Sequence, residues 1–218
     1  MRRLTVTTIA FCLAAATALA TVAFGQVSVG VRKGDWMEYQ VTMTGTPPSD
    51  HDITWARMEV ANVQGEAISL DVQTRFSNGT LLTEKITLNL ATGVLGDDFI
   101  IPANLNIGNS FHDAYQGDIV ITNLVRHIVV GAERTVISGA TAQTEYEWDR
   151  QTGILVEAAS TFPGFAMTTK ASATNMWQPQ IFGLDTNVFY VLLVALIAVL
   201  AVAFAVLFWR RMKPTQSR

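Results

Sequence analysis

The feature that most constrains this chain is an apolar run from Val188 to Trp209, which contains no charged residue, polar amide or proline. The run ends at Arg210-Arg211-Met212-Lys213. About twenty apolar residues, at a rise of about 1.5 Å each, cross a hydrocarbon core about 30 Å thick. We therefore predict a transmembrane helix at residues 188–209, followed by a short basic cytoplasmic tail at residues 210–218.

Aromatic and basic side chains flank this span. Tryptophan and tyrosine are enriched at both membrane–water interfaces, and lysine and arginine at the cytoplasmic side. The predicted interface anchors are Trp177, Tyr190, Trp209, Arg210, Arg211 and Lys213.

The N-terminal segment has the pattern of a secretory signal peptide. Arg2-Arg3 precede an apolar stretch, rich in alanine and threonine, that runs from Leu4 to about Phe24. We predict a signal peptide at residues 1–25, and the alternative is an uncleaved first membrane span. In both cases the basic ends remain in the cytoplasm and the region between them lies outside. With the signal peptide removed, we predict a single-pass protein of the plasma membrane.

The exported region is acidic and lacks cysteine. All 18 acidic residues lie in this region, whereas six of the 15 lysine and arginine residues lie in the two ends of the chain, so the region between the ends has nine basic residues and a net charge of −9. Such a domain repels phosphate backbones, so nucleic acid is not an expected partner. The one cysteine, Cys12, lies in the predicted signal peptide, and no disulfide is expected in the exported domain.

Apolar and polar residues alternate with period two through the exported region, which predicts half-buried strands. The clearest alternating segments are residues 37–43, 68–76, 82–90 and 145–149. Turn-forming residues separate the predicted strands at residues 45–50, 64–65, 77–80 and 149–153.

No stretch of ten residues in this region has helical periodicity, so crossover helices and a parallel sheet are not expected. We predict an all-β ectodomain at residues 26–174, an antiparallel meander of about eight to ten strands. The alternation does not choose among a sandwich, a barrel and a curved half-barrel. A short stalk at residues 175–187 is predicted between this domain and the membrane.

The segment from Phe99 to Gly117 interrupts the alternation, because proline, asparagine and glycine punctuate its apolar residues. A long loop of this kind is either functional or covers part of a core. We predict an ordered loop that covers the core at one end of the sheet.

Asn78-Gly79-Thr80 combines two signals. Asn-Gly between alternating segments is typical of a type I′ hairpin turn. The same triplet is an acceptor sequence for N-glycosylation. A plain turn and a turn that carries a glycan on Asn78 both remain open.

Three acidic clusters could offer oxygen ligands to a hard cation, namely Asp50-His51-Asp52, Asp97-Asp98 and His112-Asp113. None has the spacing of a calcium-binding loop, so solvated loop charge is the preferred interpretation, and we predict no metal and no cofactor. The sequence also lacks a Gly-x-Ser-x-Gly elbow, a His-Glu-x-x-His motif and a phosphate-binding glycine loop. We predict no catalytic residues and a protein that is not an enzyme.

Three segments carry a resemblance, namely Lys33–Tyr39, Ile101–Gly108 and Tyr146–Glu157. Together they resemble uncharacterised archaeal exported proteins that have a signal peptide, a β-rich ectodomain and a C-terminal transmembrane anchor. The resemblance implies that architecture and no particular activity.

These observations predict a non-catalytic, membrane-anchored protein of the cell surface or envelope, which acts as a binding or structural module. Besides the lipid bilayer, its expected partner is a surface protein or a glycan. The alternative is a carrier or sensor of an apolar ligand held in a curved sheet. An unfilled apolar concave face of several hundred Å³ would favour the carrier, whereas a filled core would favour the binding module.

Overall fold

The structure is a computed structural model that describes residues 27–48, 52–96 and 98–212, with side chains as far as Trp209. The predicted signal peptide therefore lies outside the described residues. Asp50, His51, Asp97 and Lys213 also lie outside them.

Strands make up most of the described chain. They are β1 (Trp36–Gly45), β2 (Ile53–Gln64), β3 (Ala67–Phe76), β4 (Leu81–Asn89), β5 (Ser110–Asp113), β6 (Gly117–Val120), β7 (Asn123–Val129), β8 (Ala132–Ala140), β9 (Thr144–Asp149), β10 (Leu155–Phe162), β11 (Phe165–Thr174), β12 (Gln180–Ile181) and β13 (Leu184–Asp185). They are followed by the helix α1 (Thr186–Met212).

Nine strands form one antiparallel sheet with the order β4-β3-β2-β1-β11-β10-β9-β8-β7. The prediction of an all-β antiparallel domain with one C-terminal helix is confirmed. The sheet consists of two meanders, β1–β4 and β7–β11, and these are joined where β1 pairs with β11. Alternation indicates which face of a strand is buried but not which strands are neighbours, so this central pairing was beyond the sequence analysis.

The sheet is open in the described part of the chain, with β4 and β7 at its two edges. It is also strongly curved. His127 of β7 and Lys170 of β11 line one pocket, although three strands separate β7 from β11 and a flat sheet would place them about 19 Å apart. Of the three predicted architectures, the curved half-barrel describes this arrangement best.

The core lies on one face of the sheet, where the inward positions of successive strands are apolar. Met37 and Tyr39 of β1 are fully buried, as are Ile68 of β3, Leu88 of β4 and Trp148 of β9. Their polar neighbours in sequence, such as Gln40 and Glu59, face solvent. Burial of one face of each strand is the favourable term that stabilises the sheet.

Residues 90–122 cover this face of the sheet. Ile100 and Ile101 are fully buried, and the backbone N–H of Ile101 donates to the carbonyl of Gly153, 3.0 Å away. Phe111 meets the Trp148 ring edge-on at 5.5 Å between centroids. The segment therefore covers the core, as predicted for residues 99–117. It is not a loop throughout, because it contains the β5–β6 hairpin, which the sequence analysis did not predict.

The turn at Asn78 differs from the predicted type I′ turn. That turn needs a positive φ at both central residues, and only Gly79 has one, at 85°. The four exposed residues Ser77–Thr80 form a longer loop, closed by the N–H of Phe76 donating to the carbonyl of Thr80. The side-chain Oδ1 of Asn78 accepts from the N–H of Thr80 at 2.9 Å, which is the Asx geometry that asparagine favours in turns.

Helix α1 begins two residues before the predicted span. Its apolar part, Thr186–Trp209, has 24 residues, and the most apolar 18-residue window within it has a mean hydropathy of 3.3 and no buried residue. It is therefore long and apolar enough to cross a membrane.

Candidate functional site

Two tryptophans stand among polar residues on the solvent side of β1–β3. Register pairs Trp36 with Glu59, and Gln40 with Trp55, so both rings lie on one face of the sheet. Trp36 and Trp55 are half-buried, although neither belongs to the core. From the strand geometry they lie about 14 Å apart. We call the surface formed by Trp36, Gln40, Trp55, Arg57 and Arg75 the tryptophan face.

Each tryptophan of this face is stacked with an arginine. The Cζ of Arg57 lies 4.2 Å from the centroid of the Trp36 ring, and the Cζ of Arg75 lies 4.9 Å from the centroid of the Trp55 ring. Both distances are within the range of cation–π attraction. The stacks hold the long arginine side chains in place, so less conformational entropy is lost when a partner binds.

A carboxylate orients one of the two arginines. Nη1 of Arg57 lies 2.9 Å from Oε1 of Glu38, and Nη2 lies 3.4 Å from Oε2 of Glu59. These pairs are partly exposed, so they contribute little to stability. Tryptophan and arginine are the residues most enriched at the energetic centres of protein–protein interfaces. The tryptophan face therefore has the composition of a protein-binding surface.

The sequence analysis did not single out this face, although the signal was present. Trp36 lies two residues before Glu38 and four before Gln40, so all three lie on the same face of the strand. The sequence analysis had already predicted from their alternation with apolar residues that Glu38 and Gln40 face solvent. Trp55 is likewise in phase with Arg57. A large aromatic residue at a position where the alternation predicts a polar, solvent-facing side chain is the pattern that would have identified the tryptophan face.

A second cluster of charged residues surrounds Asp149, at the end of the sheet from which the chain leaves for the helix. Arg134 holds its carboxylate with two hydrogen bonds, from Nε at 2.8 Å and from Nη2 at 2.9 Å. The N–H and the hydroxyl of Thr152 donate to Oδ2 of the same carboxylate. Because four donors satisfy this buried carboxylate, its role in the described structure is to fix the β9–β10 turn.

The Arg134 guanidinium also covers Trp177, with Cζ 4.5 Å from the ring centroid. The indole Nε1 of Trp177 donates to the carbonyl of Val129 at 3.0 Å, and the residue is only 8% exposed. The prediction that Trp177 is a membrane-interface anchor is therefore corrected, because its ring is packed inside the domain. Sequence proximity to the membrane span suggested the interface, whereas the contact that buries the ring comes from β7 and β8.

Two pockets open beside this cluster. The first, of about 420 Å³, is lined mainly by polar and charged side chains, including Asn104, Arg134 and Arg150. The second, of about 270 Å³, is lined by residues of β7, β10 and β11, among them His127 and Lys170. Five of the eight residues that line the second pocket are apolar. The inward positions of the sheet are filled by buried side chains.

Two of the other predicted anchors, Tyr190 and Trp209, lie near the two ends of the apolar part of α1. Tyr190 is 54% exposed in the first turns of α1, and Trp209 is 65% exposed at the end of its apolar part. Nineteen residues of helix place the two rings about 29 Å apart along its axis, which is close to the thickness of a hydrocarbon core. Arg210 and Arg211 continue the helix.

The predicted acidic cluster at His112-Asp113 has a structural role. His112 and Asp118 form a pair at 2.8 Å across the β5–β6 hairpin. Asp113 accepts from the N–H groups of Tyr115 and Gln116 and so shapes the turn. Among the described residues, no group of three or more histidine, cysteine or acidic side chains is placed to hold a metal ion.

Two tyrosines of the core have altered acidity. Burial raises the pKa of the Tyr39 hydroxyl, which donates to the carbonyl of Leu155 at 3.0 Å. Burial also raises the pKa of Tyr146, and the negative charge of the buried Asp98 contributes to the increase. Both tyrosines stay protonated at neutral pH, so their role there is packing and hydrogen bonding.

Comparison with known proteins does not assign this chain to a family. No family model and no curated protein matches this chain. One partly similar solved structure is that of a siderocalin, Ex-FABP, described as functioning through dual ligand specificities. The two chains are 11% identical, with a TM-score of 0.25, over 64% of this chain and 72% of the other. A likeness at this level carries no argument about the present protein.

Proposed function

We propose that this chain is a non-catalytic, single-pass protein of the plasma membrane, with the β domain outside the cell and the short basic tail in the cytoplasm. The observation that carries the proposal is the apolar helix that leaves the sheet domain directly, with 24 residues in its apolar part and a mean hydropathy of 3.3 over its most apolar 18-residue window. Such a helix is stable in a bilayer and unfavourable in water. The basic residues after Trp209 support a cytoplasmic C-terminus.

The function of the exported domain is to bind a neighbouring surface protein through the tryptophan face. Three features support this assignment: the aromatic and guanidinium groups, their preorganisation by stacking, and their position on a rigid sheet rather than on loops. The filled interior supports the same choice over the carrier alternative.

Topology is tested on intact cells. Added protease should remove the β domain, while α1 remains with the membrane after an alkaline carbonate wash. A β domain that resists protease until the cells are opened would contradict the proposed orientation. A polypeptide released by carbonate would contradict the anchor.

The binding surface is tested by photo-crosslinking from position 40, between the two tryptophans, in the full-length protein on cells. A specific adduct is expected, and Trp55→Ala should abolish it without changing the melting temperature by more than a few degrees. Tyr115→Ala is the matched control, because Tyr115 is an aromatic residue that is 84% exposed outside the tryptophan face. Equal loss in both variants, or retention in both, would contradict the assignment.

A different ligand class would also be visible. We expect that no glycan on an array binds the purified full-length protein in nanodiscs and loses that binding in Trp55→Ala. Native mass spectrometry of the same sample should release no stoichiometric apolar ligand from the domain. A glycan signal that is lost in Trp55→Ala would identify a glycan, and not a protein, as the partner. A bound apolar ligand would favour the carrier.

A further inference from the structure

The segment between the sheet and the helix, residues 175–185, is fastened to the domain. Besides the buried Trp177, the N–H of Gln180 donates to the carbonyl of Gly131 at 2.7 Å, and its Oε1 accepts from the N–H of Glu133 at 3.1 Å. The side chain of Asn175 bonds to the backbone of Gly34 and Trp36. The short stalk predicted at residues 175–187 is therefore held to the domain by these contacts.

The helix joins this segment without a spacer. Thr186, its first residue, follows Asp185 of β13 directly. The hydroxyl of Thr186 donates to the carbonyl of Pro179 at 2.6 Å, and its N–H bonds to the same oxygen at 3.1 Å. These bonds connect the start of the helix to the base of the β12–β13 hairpin.

The tip of this hairpin carries an unusual residue. Phe182 and Gly183 have φ values of 52° and 77°, as in a type I′ turn, which strongly prefers asparagine and glycine at these two positions. Phenylalanine is disfavoured there, because a bulky side chain with positive φ is strained. Phe182 is also 92% exposed. Local backbone preference and the avoidance of water both argue against this residue in an aqueous loop, so its presence points to a contact outside the chain.

The position of Phe182 along the axis of α1 identifies that contact. Its ring centroid lies 6.0 Å from that of Phe189, which in turn lies 5.8 Å from the ring of Tyr190. Phe189 is three residues, or about 4.5 Å, beyond the start of α1. If α1 crosses a membrane, Phe182 lies level with its first turn, at the depth where aromatic side chains are favoured.

We propose that the β12–β13 hairpin inserts Phe182 into the outer interface of the bilayer, as a second membrane contact beside the helix. This inference rests on the proposed membrane anchor. The partner is the lipid surface itself, because the aromatic cluster of Phe182, Phe189 and Tyr190 continues directly from the apolar helix. Two contacts, together with the fastened segment, hold the domain at a fixed angle on the membrane. The end of the sheet that carries Asn78 then points away from it.

The test uses the full chain in liposomes, with Cys12→Ser to remove the one native cysteine. An environment-sensitive fluorophore is attached to a cysteine at Leu184, next to the tip, and brominated phosphatidylcholine is the quencher. Labels at Tyr190 and Thr80 report on the helix and on the opposite end of the sheet. Quenching is expected at positions 184 and 190 and not at position 80.

The decisive variant is Phe182→Asn, since asparagine suits the type I′ turn and should leave the melting temperature unchanged or raised. It should lose most of the quenching at position 184 while retaining it at position 190. Quenching at 190 but not at 184 in the unaltered chain would overturn the inserted hairpin and leave the anchor standing. No quenching at either position would overturn both proposals. Undiminished quenching in Phe182→Asn would show that Phe182 is not the inserted group.

Discussion

Removal of one charge from the Asp149–Arg134 pair should destabilise the domain strongly. The Asp149 side chain is 1% exposed and that of Arg134 is 17% exposed, so the pair belongs to the buried class. Asp149→Asn keeps the shape of the side chain but leaves the guanidinium without its counter-charge. Breaking a buried pair in this way costs about 3–5 kcal/mol. Because asparagine retains one carbonyl acceptor, we expect about 3 kcal/mol.

The assay is equilibrium urea unfolding of the full chain in detergent micelles, followed by tryptophan fluorescence. With a slope of about 1–3 kcal/mol per molar urea, a loss of about 3 kcal/mol moves the midpoint by about 1–3 M. The slope itself should not change, since the surface exposed on unfolding is the same. Gln151→Ala is the control, because Gln151 accepts from the same Nη2 at 3.1 Å but is exposed, and its loss should cost less than about 1 kcal/mol.

A double variant separates this pair from its surroundings. Arg134→Met combined with Asp149→Asn should be less destabilised than the sum of the single variants, with a coupling energy of about 1–3 kcal/mol. A loss below about 1 kcal/mol for Asp149→Asn, or strict additivity with Arg134→Met, would refute the view that this ion pair fixes the β9–β10 turn.

The core and the turns make further predictions. Below a pH of about 10 the hydroxyl of Tyr39 is protonated in both the folded and the unfolded state. Above that pH only the unfolded state ionises, because burial raises the pKa of Tyr39 in the folded state, so the free energy of unfolding should fall as pH rises. Tyr39→Phe should make that fall less steep in urea titrations at several pH values. Gly153→Ala should lower the free energy of unfolding by more than about 2 kcal/mol in thermal unfolding, since φ is 73° and a Cβ would lie 2.1 Å from the carbonyl oxygen of Ile101. Gly164→Ala is the control, because Gly164 also has a positive φ but a Cβ there would meet no other atom, and it should lower the free energy of unfolding by about 1 kcal/mol. If Asn78 is glycosylated in the native protein, a glycosidase should lower the mass and Asn78→Gln should abolish that shift, whereas an unmodified peptide that covers Asn78 would reject the glycan.

The strands of the sheet could be predicted because each has one solvent-exposed face and one buried face. In β1 the alternation of Met37, Tyr39 and Val41 with polar residues corresponds to the observed burial. Period-two patterning follows directly from strand geometry and needs no knowledge of the neighbours. The segment that covers the core was predictable for a similar reason, since a loop rich in isoleucine buries its apolar groups against other parts of the protein.

Features that depend on distant contacts could not be predicted. The pairing of β1 with β11 joins Met37 to Thr174, and nothing local in either strand specifies the other. The burial of Trp177 depends in the same way on Val129, 48 residues earlier. The strain at Phe182 is also invisible in the sequence, because the type I′ turn there requires the register of β12 and β13.

The central pairing connects α1 to the fold mechanically. β11 leads to α1, and it is hydrogen-bonded on both sides, to β1 and to β10, rather than lying at an edge. A force applied through α1 along β11 would have to shear both ladders together, because their hydrogen bonds lie across the strand direction. If residues 175–185 were a free stalk, that force would reach β11 alone. Because Trp177 and Gln180 are fixed to the β7–β8 turn, the force is shared with the far edge of the sheet. The arrangement suits the proposed function, in which the domain would bind a neighbour while α1 holds it to a membrane.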